Sequence, residues 1–191
     1  MSVYFLGKGT GDLYIKSSVD SIISSEIYAI IDAYKYTSDG SGLDGTFTLV
    51  DGYITNCQSN TGITSFNLNT DFEFSYKYYS AYSIGTSTPF NSLWNFGVND
   101  NNGVLIGCEE DTQRLRIYNR SNGSNSVQQT KTGAFTHNEW IDVCIKYQSG
   151  VWSITCNGYT ISYSKTITPS FMRLNGNFTS TRLKELMVKP L

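Results

Sequence analysis

Residues 138–158, NEWIDVCIKYQSGVWSITCNG, constrain the fold more than any other stretch of the chain. Apolar and polar residues alternate on both sides of a short Ser-Gly turn, as expected for two antiparallel strands that bury one face. The stretch therefore predicts a β-hairpin in a half-buried sheet. The expected pairs are Tyr147 with Trp152, Ile145 with Ile154, Val143 with Cys156 and Cys144 with Thr155.

This register also decides the state of the cysteines. Cys156 lies on the buried face of the hairpin and Cys144 on the other face, so the two thiols point apart. Together with Cys57 and Cys108 they show no CxxC spacing, which is evidence against a zinc site or a thioredoxin-type motif. We expect four free thiols.

Short alternating segments continue through most of the chain. DFEFSYKYY, residues 71–79, places its Phe and Tyr residues on one face and charged or small residues on the other. About ten to twelve such strands, separated by turns rich in Gly, Asn and Asp, indicate a sandwich or a barrel. Trp94 and Trp152 share faces with apolar neighbours (Phe96 and Val98 for Trp94), which predicts that they lie in the core, and Trp140 is expected to pack at the start of a strand.

Residues 1–40 differ from this pattern. SSVDSIISSEIYAIIDAYKY has apolar residues at mixed three-to-four spacing after Ser and Asp, which predicts one helix. The alternative is a pair of short strands, because Ile and Tyr are weak helix formers. The turn-rich residues 38–45 form the boundary with the strand-rich part.

Charge and hydropathy exclude several classes of partner. The formal net charge is −2, so no overall field favours nucleic acid or an anionic membrane. The sequence lacks the apolar run of about 20 residues that would insert in a membrane. The first residues, MSVYFLGKGTGD, do not resemble a secretory signal, so we expect synthesis in the cytoplasm.

Three features of the C-terminal half resemble the laminin-G and concanavalin A-like jelly rolls. Trp140 opens a strand, the next strand ends at Asn157-Gly158, and a closing strand LKELMV follows. The resemblance implies an all-β fold over residues 45–191, with two antiparallel sheets packed as a jelly-roll sandwich. Members of this fold include binding proteins, structural proteins and some glycosidases, so the fold alone does not specify a function.

The distinct N-terminal segment and a sequence rich in Asn, Tyr and Ser, with no predicted secretory signal, also resemble tailed-phage virion proteins. In those proteins a short N-terminal piece attaches to the particle and a β-domain is displayed. This resemblance implies that residues 1–40 serve attachment or oligomerisation through other virion proteins. It further implies a homo-oligomer located in the virion and made in the host cytoplasm.

The acidic residues do not predict an enzyme. Concanavalin A-like glycosidases carry Glu-x-Asp-x-Glu on one strand, which sets the acids on a common face. Here Asp71 and Glu73 are followed by Ser75 at the third position. Residues 109–111, Glu-Glu-Asp, are expected to be solvated charges in a turn, and His137 to be a surface loop residue.

QRLRIYNR, residues 113–120, is the segment that most favours a binding function. With Leu115 and Ile117 in the core, alternation directs a stripe of arginines and a tyrosine to the opposite face. Tyr and Arg are enriched at binding hot spots, and sugars stack on aromatic rings while polar groups bind their hydroxyls. The alternative is a solvated face with no ligand. The candidate ligand-binding residues are Arg114, Arg116, Tyr118, Arg120, Asn95 and Glu110.

Asp100 and Asn102 are candidate calcium ligands, because calcium prefers carboxylate and carbonyl oxygens. The same residues suit a hairpin turn, which is the favoured interpretation and implies no cofactor. The sequence thus predicts a non-catalytic, lectin-like module of a phage tail fibre, baseplate or head decoration that recognises a cell-surface glycan. The alternatives are a structural capsid-decoration protein without a ligand and, less favoured, a glycoside hydrolase or lyase.

Overall fold

The computed structural model describes residues 5–7, 13–15, 43–44, 48–50, 53–55, 57, 62–63, 71–81, 91–110, 112–175 and 181–191. Within these ranges the regular elements are strands, and the helix predicted within residues 1–40 lies outside the described residues. The described part of the chain contains no helix that is long and apolar enough to cross a membrane. The strands are β1 Phe5–Gly7, β2 Leu13–Ile15, β3 Leu43–Asp44, β4 Thr48–Val50, β5 Tyr53–Thr55, β6 Gly62–Ile63, β7 Phe72–Ser80, β8 Asn91–Asn99, β9 Asn102–Glu109, β10 Arg114–Ser121, β11 Ser124–Lys131, β12 Trp140–Gln148, β13 Val151–Cys156, β14 Tyr159–Ser164, β15 Phe171–Asn175 and β16 Thr181–Pro190.

The strands form two seven-stranded antiparallel sheets and a separate β1–β2 hairpin. The first sheet, called sheet 1, has the order β11-β10-β9-β8-β15-β6-β3. The second, sheet 2, has the order β14-β13-β12-β7-β16-β5-β4. Both sheets contain neighbours that are distant in sequence, such as β8 with β15 and β7 with β16, as jelly-roll connections require. The predicted all-β, two-sheet jelly-roll sandwich is confirmed.

Aromatic side chains from the two sheets meet between them. Alternate residues of β7 are buried, and the ring of Phe74 in sheet 2 contacts the edge of Trp94 in sheet 1, with centroids 4.8 Å apart. The ring centroid of Trp152 in β13 lies 5.0 Å from that of Phe96 in β8. Such tilted and edge-on pairs add to the burial of large apolar area. The prediction that Trp94 and Trp152 lie in the core is confirmed.

The hairpin of β12 and β13 has the predicted register. Val143 pairs with Cys156, Ile145 with Ile154 and Tyr147 with Trp152, and all four cysteines are free thiols, as expected. Burial raises the pKa of Cys57 to about 12, and burial followed by the charge of Asp142 does the same for Cys156. These two thiols therefore stay protonated at neutral pH.

Val98 departs from the strand alternation, which predicts that it lies on the same face of β8 as Trp94 and Phe96. The register between β8 and β9 shifts between Gly97 and Asn99, and the bulge leaves Val98 46% exposed. A bulge turns the following side chain away from its expected face. The expectation that Val98 shares the buried face of Trp94 is wrong for this reason.

Two tryptophans give a test of this architecture. Trp152→Ala should lower the free energy of unfolding by about 3–5 kcal/mol, because it opens a cavity between the sheets. Trp140 is 36% exposed at the outer face of sheet 2, so Trp140→Ala should cost about 1–2 kcal/mol, through the loss of its contacts with Lys184 and Tyr79. Urea unfolding of both variants measures the difference, and equal losses would contradict the assignment of core and surface.

Candidate functional site

The outer face of sheet 1 carries a polar array that we call the arginine face. It is formed by alternate residues of β8, β9, β10 and β15. The intervening residues of these strands point into the core. Tyr118 of β10 pairs with Leu105 of β9, which pairs with Asn95 of β8, which in turn pairs with Arg173 of β15. Its polar members are Asn95, Glu109, Arg114, Arg116, Tyr118, Arg120, Arg173 and Asn175.

The alternation predicted for QRLRIYNR is present, although the stripe is less solvated than expected. Leu115 and Ile117 are fully buried between the sheets. Arg114, Arg116 and Tyr118 lie on the opposite face but are half-buried, because they pack around a common acidic group. The structure thus brings these three candidates together around one acid.

That acidic group is Glu109, the last residue of β9, which is 2% exposed. Its Oε1 accepts a hydrogen bond of 2.5 Å from the Tyr118 hydroxyl. Its Oε2 accepts a hydrogen bond from Arg114 Nε and lies 3.0 Å from Arg116 Nε. Two guanidinium groups and a hydroxyl therefore compensate the buried carboxylate, as a charge removed from water requires.

Tyr118 connects the members of this cluster. Arg116 Nη1 donates to the Tyr118 oxygen over 2.6 Å, and the Arg116 guanidinium lies 5.2 Å from the centre of the Tyr118 ring. Burial, followed by the hydrogen bond to Glu109 and its charge, raises the pKa of Tyr118 above its ordinary value of 10.0. The hydroxyl therefore stays protonated and donates a hydrogen bond to Glu109.

Arg120 and Asn95 occupy the middle of the face. Arg120 Nη1 lies 3.5 Å from Asn175 Oδ1, so the arginine of β10 reaches toward β15 across β9 and β8. Asn95 is 3% exposed even though it lies on the outer face. Asn95 Oδ1 and Arg120 Nε are buried without a hydrogen-bond partner in the described part of the chain.

Glu110 lies on the other side of the sheet from the arginine stripe. It is 0% exposed, and its Oε1 accepts hydrogen bonds of 3.1 Å from the Tyr78 hydroxyl and 2.5 Å from Thr181 Oγ1. Both partners belong to sheet 2, so Glu110 joins the two layers at one end of the core. The expectation that residues 109 and 110 are solvated charges is wrong, and Glu110 does not join the other candidates.

Asp100 and Asn102 serve the turn between β8 and β9. Asp100 Oδ1 accepts a 2.5 Å hydrogen bond from Arg173 Nη2, and Asn102 Oδ1 accepts one of 3.2 Å from the Asn122 backbone N–H. Asn99 Oδ1 accepts from the Asn101 N–H within the same turn. Across the described residues, no group of three or more His, Cys, Asp or Glu side chains is arranged to hold a metal ion.

His137 is half-buried rather than an exposed loop residue. Its Nδ1 lies 3.1 Å from Ser80 Oγ, and its ring contacts Phe135 edge-on. A serine and a histidine at this distance could form a nucleophile and its base. Ser80 is buried on the inner face of β7, however, where a substrate could not reach its oxygen.

The outer face of sheet 2 is organised differently. Trp140 packs at the start of β12 with ring centroids 5.4 Å from Tyr79 and 6.3 Å from Tyr53. Arg182 lies over both tyrosine rings, 4.8 Å from the centre of Tyr79, and Lys184 lies 4.4 Å from Trp140. The cations and rings of this cluster are already paired with each other.

Sequence reasoning missed Glu109 as a member of the arginine face. The available sign was its position five residues before Arg114, because a hairpin joining β9 and β10 pairs Glu109 with Arg114. Opposite charges at directly paired positions contact each other across two strands.

Comparisons with solved structures agree on the fold. A carbohydrate-binding module of Bacillus subtilis matches with a TM-score of 0.54 and 14% identity, covering 76% of this chain and 92% of its own. The Caenorhabditis elegans galectin LEC-6 matches with a TM-score of 0.54 and 13% identity, over 72% of this chain and 96% of the galectin. The lumenal domain of VIP36, in its Ca²⁺- and Man3GlcNAc-bound form, matches with a TM-score of 0.54 and 13% identity, over 78% of this chain and 83% of the VIP36 domain. The chain thus has the jelly-roll fold that these three proteins share.

Comparisons at the sequence level gave nothing further. No protein-family model matches the chain. No curated protein matches it either.

Glu109→Gln tests the electrostatic arrangement of the face. The exchange keeps the shape but leaves two half-buried guanidinium groups without their carboxylate, so we expect a loss of about 2–4 kcal/mol in unfolding free energy. Glu73→Gln is the matched control, because Glu73 pairs with Lys146 at 2.9 Å on the more exposed face of sheet 2 and should cost at most about 1 kcal/mol. Denaturant unfolding at low and high salt gives both values. Equal losses would show that Glu109 does not organise the arginine face.

Proposed function

We propose that this protein is a non-catalytic, lectin-like module that binds a glycan on the arginine face. The observation that carries the proposal is the fixed array of Arg114, Arg116 and Tyr118 around Glu109. Side chains held by several partners lose little freedom when a ligand binds, which favours affinity. The same array presents guanidinium donors and a tyrosine ring at one surface.

The chemistry of the face suits a carbohydrate. Sugar hydroxyls both donate and accept hydrogen bonds, and the face offers arginine donors beside the amide groups of Asn95 and Asn175. The half-buried ring of Tyr118 supplies apolar area against which a sugar ring can pack. Guanidinium groups, the amide of Asn175 and an aromatic ring are therefore available within one surface, and the buried amide of Asn95 lies on the same face.

The comparisons support this proposal through what the matching proteins are. One is a carbohydrate-binding module, one is a galectin, and one was solved with Man3GlcNAc bound. These likenesses concern the fold, and the polar face described above provides the argument for binding in this chain.

The placement of the acids supports binding rather than hydrolysis. Glycosidases of the common two-carboxylate type need both groups on the same side of one substrate. Glu109 and Glu110 are adjacent in sequence and lie on opposite faces of sheet 1. Each is already engaged by its own partners, so the two cannot act together on one glycosidic bond.

A glycan array with matched variants tests the proposal. We expect retention of a defined set of glycans, weakened at least tenfold by Tyr118→Ala because the ring and its link to Arg116 are lost. Tyr159→Ala is the control, since Tyr159 is an exposed aromatic residue of β14 in sheet 2 and should leave binding unchanged.

The same array separates the alternatives. Absence of binding to every glycan would contradict the lectin proposal and favour a structural decoration protein. Release of reducing sugar from a bound polysaccharide would favour a glycoside hydrolase, and release of unsaturated sugar ends would favour a lyase. Loss of binding in Tyr159→Ala but not in Tyr118→Ala would place the ligand elsewhere.

We also propose, from the sequence pattern alone, that the module belongs to a phage virion protein made in the host cytoplasm. Residues 1–40 would attach it to other virion proteins and support a homo-oligomer, while the sandwich meets cell-surface glycans. Deletion of residues 1–40 should abolish co-sedimentation with particles and leave glycan retention intact. Particles that still carry the truncated protein would contradict the attachment role, and absence of the full chain from particles would contradict the virion proposal.

A further inference from the structure

Among the described residues, the arginine face carries more arginines than carboxylates. Four arginines lie on it, at positions 114, 116, 120 and 173, and within the described ranges the carboxylates of Glu109 and Asp100 contact them. Arg114 and Arg116 share Glu109, and Arg173 pairs with Asp100. The protein as a whole has a formal net charge of −2, so this local excess opposes the overall charge.

Arg120 is the arginine of this face that lacks a carboxylate within the described ranges. Its one side-chain contact there is the 3.5 Å approach of Nη1 to Asn175 Oδ1, at the outer limit of a hydrogen bond. Its Nε is buried with no acceptor among the described residues. A guanidinium group removed from water gains most when it meets a negatively charged acceptor.

A second buried atom without a hydrogen-bond partner in the described ranges lies on β8, which β9 separates from the strand that carries Arg120. Asn95 Oδ1 is buried without a donor in the described ranges, and it lies 3.1 Å from the point where a Cβ on Gly103 would stand. Arg120, Gly103, Gly97 and Phe171 form one row across four strands. The phenyl ring of Phe171 lies over Gly97, because a Cβ at Gly97 would clash with Phe171 Cζ. Gly103, which has no side chain, therefore separates Arg120 from this aromatic ring in the row.

We infer that the glycan bound by this face is acidic and that Arg120 binds a sugar carboxylate. The inference rests on the proposed glycan binding and specifies the class of sugar. The forked guanidinium group matches a planar carboxylate in a bidentate contact. A hydroxyl of the same or the next sugar donates to Asn95 Oδ1 once Arg120 turns from Asn175 to the ligand. The ligand class is a polyuronate.

The experiment compares charged and uncharged forms of the same polymers. Binding of the full-length protein to galacturonan, glucuronan and mannuronan is measured by calorimetry, together with the carboxyl-reduced form of each polymer. We expect at least one polyuronate to bind at least tenfold more tightly than its reduced form, with the difference shrinking at high salt as charges are screened. Arg120→Gln should remove this preference, so that the variant binds each polyuronate and its carboxyl-reduced form with equal affinity.

Arg182→Gln is the matched control, because Arg182 lies on the outer face of sheet 2 and should not alter the preference. Thermal unfolding of each variant verifies that it is folded. Equal affinity for charged and reduced polymers, or an unchanged preference in Arg120→Gln, would overturn the inference and leave glycan binding intact. Binding of a neutral glycan without binding of any polyuronate would also overturn the inference and leave glycan binding intact. Absence of binding to all glycans would overturn both proposals.

Discussion

The burial of the Glu109 carboxylate is the constraint on which the candidate site depends. A charge that is 2% exposed must be met by donors on the same face, and Arg114, Arg116 and Tyr118 provide them. These contacts fix three side chains that would otherwise move freely on the surface of a sheet. The cluster also joins β9 to β10, so the geometry of the face is coupled to the pairing of these strands.

The two sheets use their outer faces in different ways. On sheet 2 the ion pairs Lys77–Asp142 and Lys146–Glu73 are partly exposed, and the cations near Trp140 already lie against aromatic rings. On sheet 1 the polar groups are more deeply buried, and Arg120 Nε and Asn95 Oδ1 have no partners among the described residues. Unsatisfied buried polar atoms cost free energy, and a ligand that satisfies them recovers it. This difference supports sheet 1, beside the fixed array around Glu109, as the sheet that binds the ligand.

The fold could be predicted from the sequence wherever alternation and a short turn act together. The hairpin of β12 and β13 has its predicted register because the short Ser149-Gly150 turn pairs Gln148 with Val151, and this pairing places both Ile145 and Ile154 on the buried face. The same reasoning placed Arg114, Arg116 and Tyr118 together. It failed at Val98, where a bulge changes the face, and at Glu109 and Glu110, whose burial depends on partners in other strands. Alternation specifies the side of a strand, but it does not specify what the neighbouring strands place there.

The most direct test of this account is to map a bound glycan by the changes it causes in backbone amide chemical shifts. The account predicts that the largest changes cluster in β8, β9 and β10, around Asn95, Leu105 and Tyr118, with the outer face of sheet 2 unaffected. Changes centred on Trp140, Tyr79 and Arg182 instead would place the ligand on the opposite sheet and contradict the account.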